Sequence, residues 1–419
     1  MHKITRYSLL NYISKNFVTE KIINPARIFN YNNKPIKKGF VVYLCERELR
    51  VKDNFALNFA YQKSKELNLP LKIIYKKINY EYLPKQNFTD KQINQTISQY
   101  REAGFDFCII EGDIFEYLKQ TALLIIDFNP ISNRKLFYSL PFRVIEIDGH
   151  NIIPARFITD KQEYSAMTMR RKVYLNIENF LTDFENVIDT KVEADYILED
   201  FIAAKLPNYA EYKNNPAKNV LSGLSKYINL GFISSQRIAI EVVKSNVSDI
   251  NKEVFLEELI IRKELADNFC LYCKDFKSLS CVPSWAKNSL FEHKNDFRKI
   301  VYTLSDFENS KTHDKLWNAA QNQLKREGVI HGYLRMYWAK KILEWTKIPN
   351  QALEFTIYLN DKYSYDSPSP NGYTGILWAL GALHDRPFQD WFVTGMVRRM
   401  TYDSIKRKYD IDAYISHFL

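Results

Sequence analysis

Apolar runs of strand length crowd the first third of this chain and then stop. Gly39-Phe-Val-Val-Tyr-Leu44, Leu71-Lys-Ile-Ile-Tyr75, Phe107-Cys-Ile-Ile110, Ala122-Leu-Leu-Ile-Ile-Asp127 and Arg143-Val-Ile-Glu-Ile147 each have the length of a buried strand. Helical patterns lie between them, at 54–67 and 91–103. Strands alternating with helices form a parallel sheet covered on both faces, and unbroken apolar runs are what two-sided burial selects. From about residue 170 the strand-like runs vanish, and amphipathic stretches such as 254–268, 349–359 and 373–383 continue to the C-terminus. The expected fold class is an α/β N-terminal domain with a parallel, Rossmann-like sheet (1–160), a mixed connector (161–200) and an all-helical domain (201–419).

Composition removes several function classes. Hydrophobic content of 46% and charged content of 26% are ordinary for a soluble globular protein. Only 12 glycines occur, and neither GxGxxG nor GxxxxGK[ST] is present, so the dinucleotide fingerprint and the Walker loop are excluded. No run of about 18 apolar residues occurs, so no membrane span is expected. The opening Met-His-Lys-Ile-Thr-Arg-Tyr lacks the apolar core of a secretory leader. The five cysteines (Cys45, Cys108, Cys270, Cys273, Cys281) are an odd, scattered set, which fits a reducing, cytoplasmic setting rather than a disulfide framework. Cys270-x-x-Cys273 with Cys281 lacks a fourth ligand at metal spacing unless His293 supplies it, so helix packing is the expectation and no metal is expected. The net charge of +10 suits a polyanionic partner, because each neutralised phosphate releases counterions.

All six tryptophans (Trp285, Trp317, Trp338, Trp345, Trp378, Trp391) fall in the helical part. In His331-Gly-Tyr-Leu-Arg-Met-Tyr-Trp-Ala-Lys-Lys-Ile-Leu-Glu-Trp345, Trp338 and Trp345 stand two helical turns apart on one face. Indoles at that spacing are most often core, but a segregated set also suits base stacking or a one-electron relay. Arg335 shares a face with Trp338. Upstream, Ser222 and Ser225 bracket Gly223 just before a helical pattern, offering hydroxyls and free amides for either a helix cap or an anion site.

These segments resemble those of class II cyclobutane pyrimidine dimer photolyases, in the photolyase/cryptochrome superfamily. The similarity runs in order through Arg50-Val-Lys-Asp-Asn-Phe-Ala-Leu57, Asp148-Gly-His-Asn-Ile-Ile-Pro154, Leu221-Ser-Gly-Leu-Ser-Lys-Tyr227, residues 257–269 and 311–320, the 331–345 segment, Tyr358-Leu-Asn-Asp361 and Pro370-Asn-Gly-Tyr373. The resemblance implies light-driven repair: reduced FAD (FADH⁻) gives an electron to a pyrimidine dimer flipped out of UV-damaged DNA. The C5–C5 and C6–C6 bonds then break and the electron returns, with no side chain acting as nucleophile.

The same resemblance assigns positions. Lys213, Ser222, Leu224, Ser225, Arg335, Asn360, Asp366 and Asn371 fall at flavin-binding places. Lys213 stands where relatives carry arginine, keeping the charge but losing the bidentate fork. Arg335 paired with Asp366 opposes the charge of the reduced flavin, and Asn360 faces its N5. Trp338, Trp317 and Trp345 match the proximal, middle and surface-exposed members of an electron relay. Glu258, Arg262, Met336 and Trp378 match the lesion pocket, and the implied catalytic set is Glu258, Asn360, Arg335 and Asp366. Arg398 and Arg399, with the cluster Lys406-Arg407-Lys408, are available to phosphates or are a solvated basic face.

A second, light-harvesting chromophore of deazaflavin or folate type is typical of the superfamily, and nothing in residues 1–160 identifies it. UV-damaged DNA is the implied partner, with no obligate protein partner and a monomeric state. The resemblance breaks after His384-Asp385-Arg386, where Asp390-Trp391-Phe392-Val-Thr-Gly395 replaces an acidic-arginine-proline triplet. The competing readings are a cryptochrome-like photoreceptor without repair, a lyase acting on the (6-4) photoproduct, and a basic helical nucleic-acid-binding protein with no flavin.

Overall fold

A computed structural model describes residues 8–184, 186 and 190–419. The opening heptapeptide read for a leader lies outside the described residues. The five predicted apolar runs are strands of one six-stranded sheet, joined by an edge strand that was not predicted, β1 (Ile28–Asn30): β2 (Phe40–Cys45), β3 (Leu71–Lys76), β4 (Phe107–Ile110), β5 (Thr121–Asp127) and β6 (Arg143–Ile147), in the order β1-β6-β5-β2-β3-β4. Every pairing is parallel except that of β1 with β6, which is antiparallel and closes one edge. β5 is buried along its whole length, as its unbroken apolar run requires. Among the described residues, the other strand pairing is a two-residue parallel bridge between Thr19–Glu20 and Asp183–Phe184, which places a strand beyond the point where none was expected.

Helix α1 (Phe55–Leu67) starts where predicted, because Asn54 caps it by accepting from the Leu57 amide at 2.8 Å. The Asn54 side-chain amide also donates to the Glu48 and Arg50 carbonyls (3.0 and 2.9 Å), so one residue ends the loop after β2 and begins the helix. Helix α2 (Leu83–Glu102) begins well before the predicted 91, because Lys85, a polar residue to the eye, is inward and buried.

The largest apolar cluster runs from Leu9 to Leu265, so the sheet and the first helices of the helical part share one core. A second cluster, from Phe269 to Phe418, surrounds the tryptophans. Helix α4 (Lys263–Tyr272) bridges the two clusters, α3 being the short Ser225–Asn229. Two of the motif segments, 148–154 and 257–269, and the loop after β2 meet at α4. Arg47 pairs with Asp267 at 2.9 Å, Lys263 donates to the His150 carbonyl at 2.8 Å, and Glu264 accepts from the Ile152 amide at 2.7 Å. Gly231 closes the junction: its φ is +75°, and a Cβ there would sit 1.8 Å from the Arg47 carbonyl oxygen.

The expected parallel sheet is present, with one antiparallel strand added at its edge. One expectation is corrected. Cys273 and Cys281 are joined in a disulfide, not packed as free thiols, while Cys270 stays free and buried. The reason lies in the chain path: α4 ends at Tyr272 and the following turn brings Cys281 back to the helix end. No group of metal-ligating side chains occurs among the described residues, and no helix there is long and apolar enough to cross a membrane.

Candidate functional site

Four helices build the site: α5 (Lys315–Glu327), α6 (Gly332–Glu344), α7 (Pro349–Tyr363) and α8 (Pro370–Gly381). Local signals start each one. Asp314 caps α5 through the Trp317 amide (3.0 Å), His331 Nδ1 caps α6 through the Tyr333 amide (3.3 Å), and Ser369 caps α8 through the Gly372 amide (3.1 Å), with Pro349 and Pro370 opening α7 and α8.

The helical spacing brings the tryptophans together in a definite order. Trp338 on α6 stacks on Trp317 of α5, with centroids 6.3 Å apart and planes 9° from parallel; Trp317 in turn meets Trp345 edge-on at 6.3 Å. The Trp317 indole donates to the Trp338 carbonyl (3.0 Å) and the Trp338 indole to Gln321 Oε1 (2.9 Å), which fixes both rings. Trp345 was expected to be surface-exposed. It is only 8% exposed, because Tyr302 and His313 from the preceding segment cover it.

On the face of α6 bearing Arg335, an ion pair forms with Asp366, at 3.4 Å from guanidinium Nη1 to carboxylate. Ser364 Oγ donates to the same carboxylate at 2.6 Å. Burial pushes the Asp366 carboxyl up, but Arg335 and hydrogen bonds from Ser364 and Ser225 outweigh it and hold the group below the usual carboxylate range. Ser225 thus ties the Ser222–Ser225 loop to the pair. Ser222 accepts from the Leu224 amide at 3.3 Å, Leu224 is buried, and Gly223 has φ +70° with nothing within 4 Å of where a Cβ would stand.

Asn360 is buried on α7. Its amide donates to Ser367 Oγ (2.8 Å), which donates to Asp361 (2.5 Å), and Tyr373 donates to the other Asp361 oxygen (2.9 Å). From the α/β part, the buried Lys85 donates to the Asp361 carbonyl at 2.7 Å, and burial pulls its pKa down to about 8. These partners (Ser364, Ser367, Asp361, Tyr373, Gln321, Lys85) were missed as site residues. Asp361 and Tyr373 lay inside quoted motifs, but Gln321 and Lys85 carried no sequence signal. An open loop of hydroxyls and amides, a cation held beside a carboxylate and a fixed amide form a donor set that fits a flavin nucleotide.

Lys213 and Glu258 are brought together, at 2.7 Å and partly exposed. Glu258 lies on a π-helical turn, Glu257–Arg262, and Arg262 at its end pairs with Glu257 at 3.5 Å. Met336 and Trp378 are half-buried against the second core cluster. Asn371 is not drawn in: it is exposed on the first turn of α8. Arg398 and Arg399 are exposed, near Asp385 (3.7 Å) and Glu344 (4.0 Å). They flank the departing segment, whose ends meet through Phe388 N–H and the Met396 carbonyl (2.9 Å) and whose Trp391 and Phe392 are exposed.

In the sheet, strand order reverses between β2 and β5, where open α/β sheets take ligands. The Asp127 carboxylate sits there and accepts from the amides of Glu46, Arg47 and Glu48 at 2.7, 2.8 and 3.1 Å. A protein carboxylate therefore takes up the loop amides that follow β2.

No family model matches the chain. Among curated proteins it is 35% identical to the deoxyribodipyrimidine photo-lyase of Potorous tridactylus, over 88% of this chain and 79% of that one. It is 33% identical to that of Arabidopsis thaliana (90% and 88% covered) and 31% identical to that of Methanothermobacter thermautotrophicus (94% and 98% covered). Among solved structures, a class III photolyase from Agrobacterium tumefaciens superposes with a TM-score of 0.70 at 16% identity, covering 92% of this chain and 87% of that one. A Synechocystis cryptochrome also superposes with a TM-score of 0.70, at 13% identity, with 92% and 89% covered.

Proposed function

The chain belongs to the deoxyribodipyrimidine photo-lyases, and from that premise we propose how its residues divide the work of light-driven DNA repair. It is a repair enzyme that splits pyrimidine dimers in UV-damaged DNA, and its family binds FAD. The finer reading is a class II enzyme: monomeric, cytoplasmic, with residues 201–419 carrying cofactor and lesion.

Bound FAD supplies the light absorption and the transferable electron. Lys213, Ser222, Leu224 and Ser225 hold the nucleotide. Arg335, kept in place by Asp366, opposes negative charge on the reduced ring. Asn360, fixed by Ser367, would offer its amide to the flavin ring. Glu258, Arg262, Met336 and Trp378 receive the flipped dimer, with Trp378 offering a stacking face. Arg398 and Arg399 meet backbone phosphates. Trp338, Trp317 and Trp345 relay an electron inward when the cofactor has become oxidised.

The observation that carries this reading is the run of indole contacts Trp338–Trp317–Trp345, beginning one helical turn from the Arg335–Asp366 pair. The test is repair of a dimer-containing oligonucleotide by dithionite-reduced protein. Restoration of intact pyrimidines in blue light and not in darkness is expected. Flavin-bound protein that binds the oligonucleotide and restores nothing points instead to the photoreceptor reading.

A further inference from the structure

Cys273 and Cys281 have no part in the repair chemistry, yet their bond closes a loop beside the flavin site. They stand eight positions apart, and the chain between them leaves the end of α4 and returns to it. Cys273 is buried and Cys281 partly exposed, so a reagent from solvent meets Cys281 first. Within the loop, Phe276 packs on the Tyr373 ring with centroids 5.4 Å apart, and the Lys277 ammonium stands 4.6 Å from the same ring. Under this cover Tyr373 is 2% exposed. Its phenol donates to Asp361; Ser367 donates to the same carboxylate and accepts from the Asn360 amide. The loop is thus the outer wall of the network that fixes Asn360. Leu279 and Val282 are anchored in the second core cluster. Cutting the bond therefore loosens the stretch 274–278, which carries Phe276 and Lys277, without unfolding the domain.

We propose that Cys273 and Cys281 are a reversible redox site that sets how firmly the flavin pocket is closed, with a dithiol/disulfide couple as co-reactant. The inference rests on the flavin reading given above. A thiolate of the dithiol attacks Cys281 Sγ, the Cys273–Cys281 bond breaks, and the Cys273 sulfur leaves as a thiolate that takes up a proton. The second thiol of the reagent then displaces the Cys281 sulfur, which is protonated in turn. Two electrons and two protons pass to the protein, and the dithiol becomes a disulfide. With the bond closed, Phe276 and Lys277 stay on Tyr373. With it open, the stretch gains conformational freedom, Tyr373 loses cover, and water competes for the Asp361 carboxylate that holds Ser367 and Asn360. Flavin retention thereby follows the thiol state of the surroundings.

Flavin-loaded protein compared in the dark before and after dithiothreitol tests this. Thiol titration of the unfolded chain should count three free cysteines before treatment and all five after it. Release of FAD should become severalfold faster on reduction, and hydrogen exchange of the α8 amides around Tyr373 should rise. Cys273→Ser combined with Cys281→Ser should match the reduced protein and ignore the reagent, whereas Cys270→Ser should keep the full contrast. Five free thiols in untreated, air-exposed protein overturn the proposal at its bond. Equal FAD release and equal exchange in the bonded and reduced forms overturn it at the coupling. A chain that takes up no flavin fails the flavin reading instead, and the exchange contrast alone then decides whether the bond holds Tyr373.

Discussion

The Trp317 and Trp338 rings lie 6.3 Å apart and 9° from parallel, each tied by its own indole N–H. Such an arrangement allows charge to pass between rings with little movement. Trp317→Phe breaks the series in the middle while leaving Arg335, Asp366 and Asn360 untouched. It should abolish photoreduction of the oxidised cofactor, leave repair by chemically reduced enzyme near the parent level, and cost about 1–3 kcal/mol from the cavity at a fully buried site. Equal loss of both activities would mean that Trp317 serves the fold alone.

Glu258 and Lys213 form a partly exposed pair, and such pairs contribute about 0–1 kcal/mol to stability. Glu258→Gln should therefore leave thermal stability and flavin content almost unchanged, yet lower repair yield per absorbed photon. A drop in flavin content instead would place Glu258 with the cofactor, through Lys213, and not with the lesion.

Asp366 is buried while Arg335 stays partly open, with side-chain exposures of 12% and 28%. Asp366→Asn leaves a cation beside a neutral amide and should cost about 3 kcal/mol, the low end for orphaning a buried charge, because water still reaches Arg335. The sign with pH follows from the depressed carboxyl. Its contribution is present above the ordinary carboxylate range and is lost as pH falls through the lower folded value, so parent and variant should converge in acid. Melting temperatures of the two proteins across the acid range decide this.

The strands were legible because burial on both faces of a parallel sheet leaves unbroken apolar runs, as in Thr121–Asp127. The edge strand Ile28–Asn30 was not, since three residues carry no period. The site divides in the same way. Arg335, Asn360 and Asp366 could be placed through motifs, and the Trp338–Trp345 face through helical spacing. What the motifs did not contain is the polar network across elements: Gln321 reaches Trp338 from another helix, and Lys85 reaches Asp361 from the α/β part. The cover over Trp345 was hidden for the same reason, because Tyr302 and His313 approach it from outside its helix.

Glu264 is buried with Oε1 accepting from the Ile152 and Ile153 amides (2.7 and 3.3 Å), and burial pushes its carboxyl up to about 8. A carboxyl whose folded pKa is raised contributes stability that is complete below its unfolded value, 4.5, and is lost as pH rises through about 8. Glu264→Gln keeps the acceptor oxygen and cannot ionise. The variant should match the parent within about 1 kcal/mol in mild acid and exceed it by about 1–3 kcal/mol in mild alkali. Glu48, raised to about 7 by burial, shares the sign, so the difference between the proteins rather than the parent curve isolates Glu264. A constant difference across that range would mean that the junction at α4 holds this carboxyl ionised throughout.

Arg398 and Arg399 stand 3.7 and 4.0 Å from their nearest carboxylates, with side chains 49% and 34% exposed. Pairs that long and that open hold their cations weakly, which leaves both guanidinium groups free to meet phosphate. Beside them, Trp391 lies under Arg399 at 5.0 Å and Phe392 is 77% exposed, so the segment presents rings as well as charge. If the two arginines contact DNA backbone, each Arg→Ala change should weaken binding to damaged and undamaged duplex alike and flatten the dependence of log affinity on log salt by about one. Binding titrations at several salt concentrations distinguish this from a solvated basic face, for which affinity falls little and the slope stays as it was. A loss confined to dimer-containing DNA would instead place Trp391 and Phe392 at the lesion, with the arginines acting only to hold that segment in position.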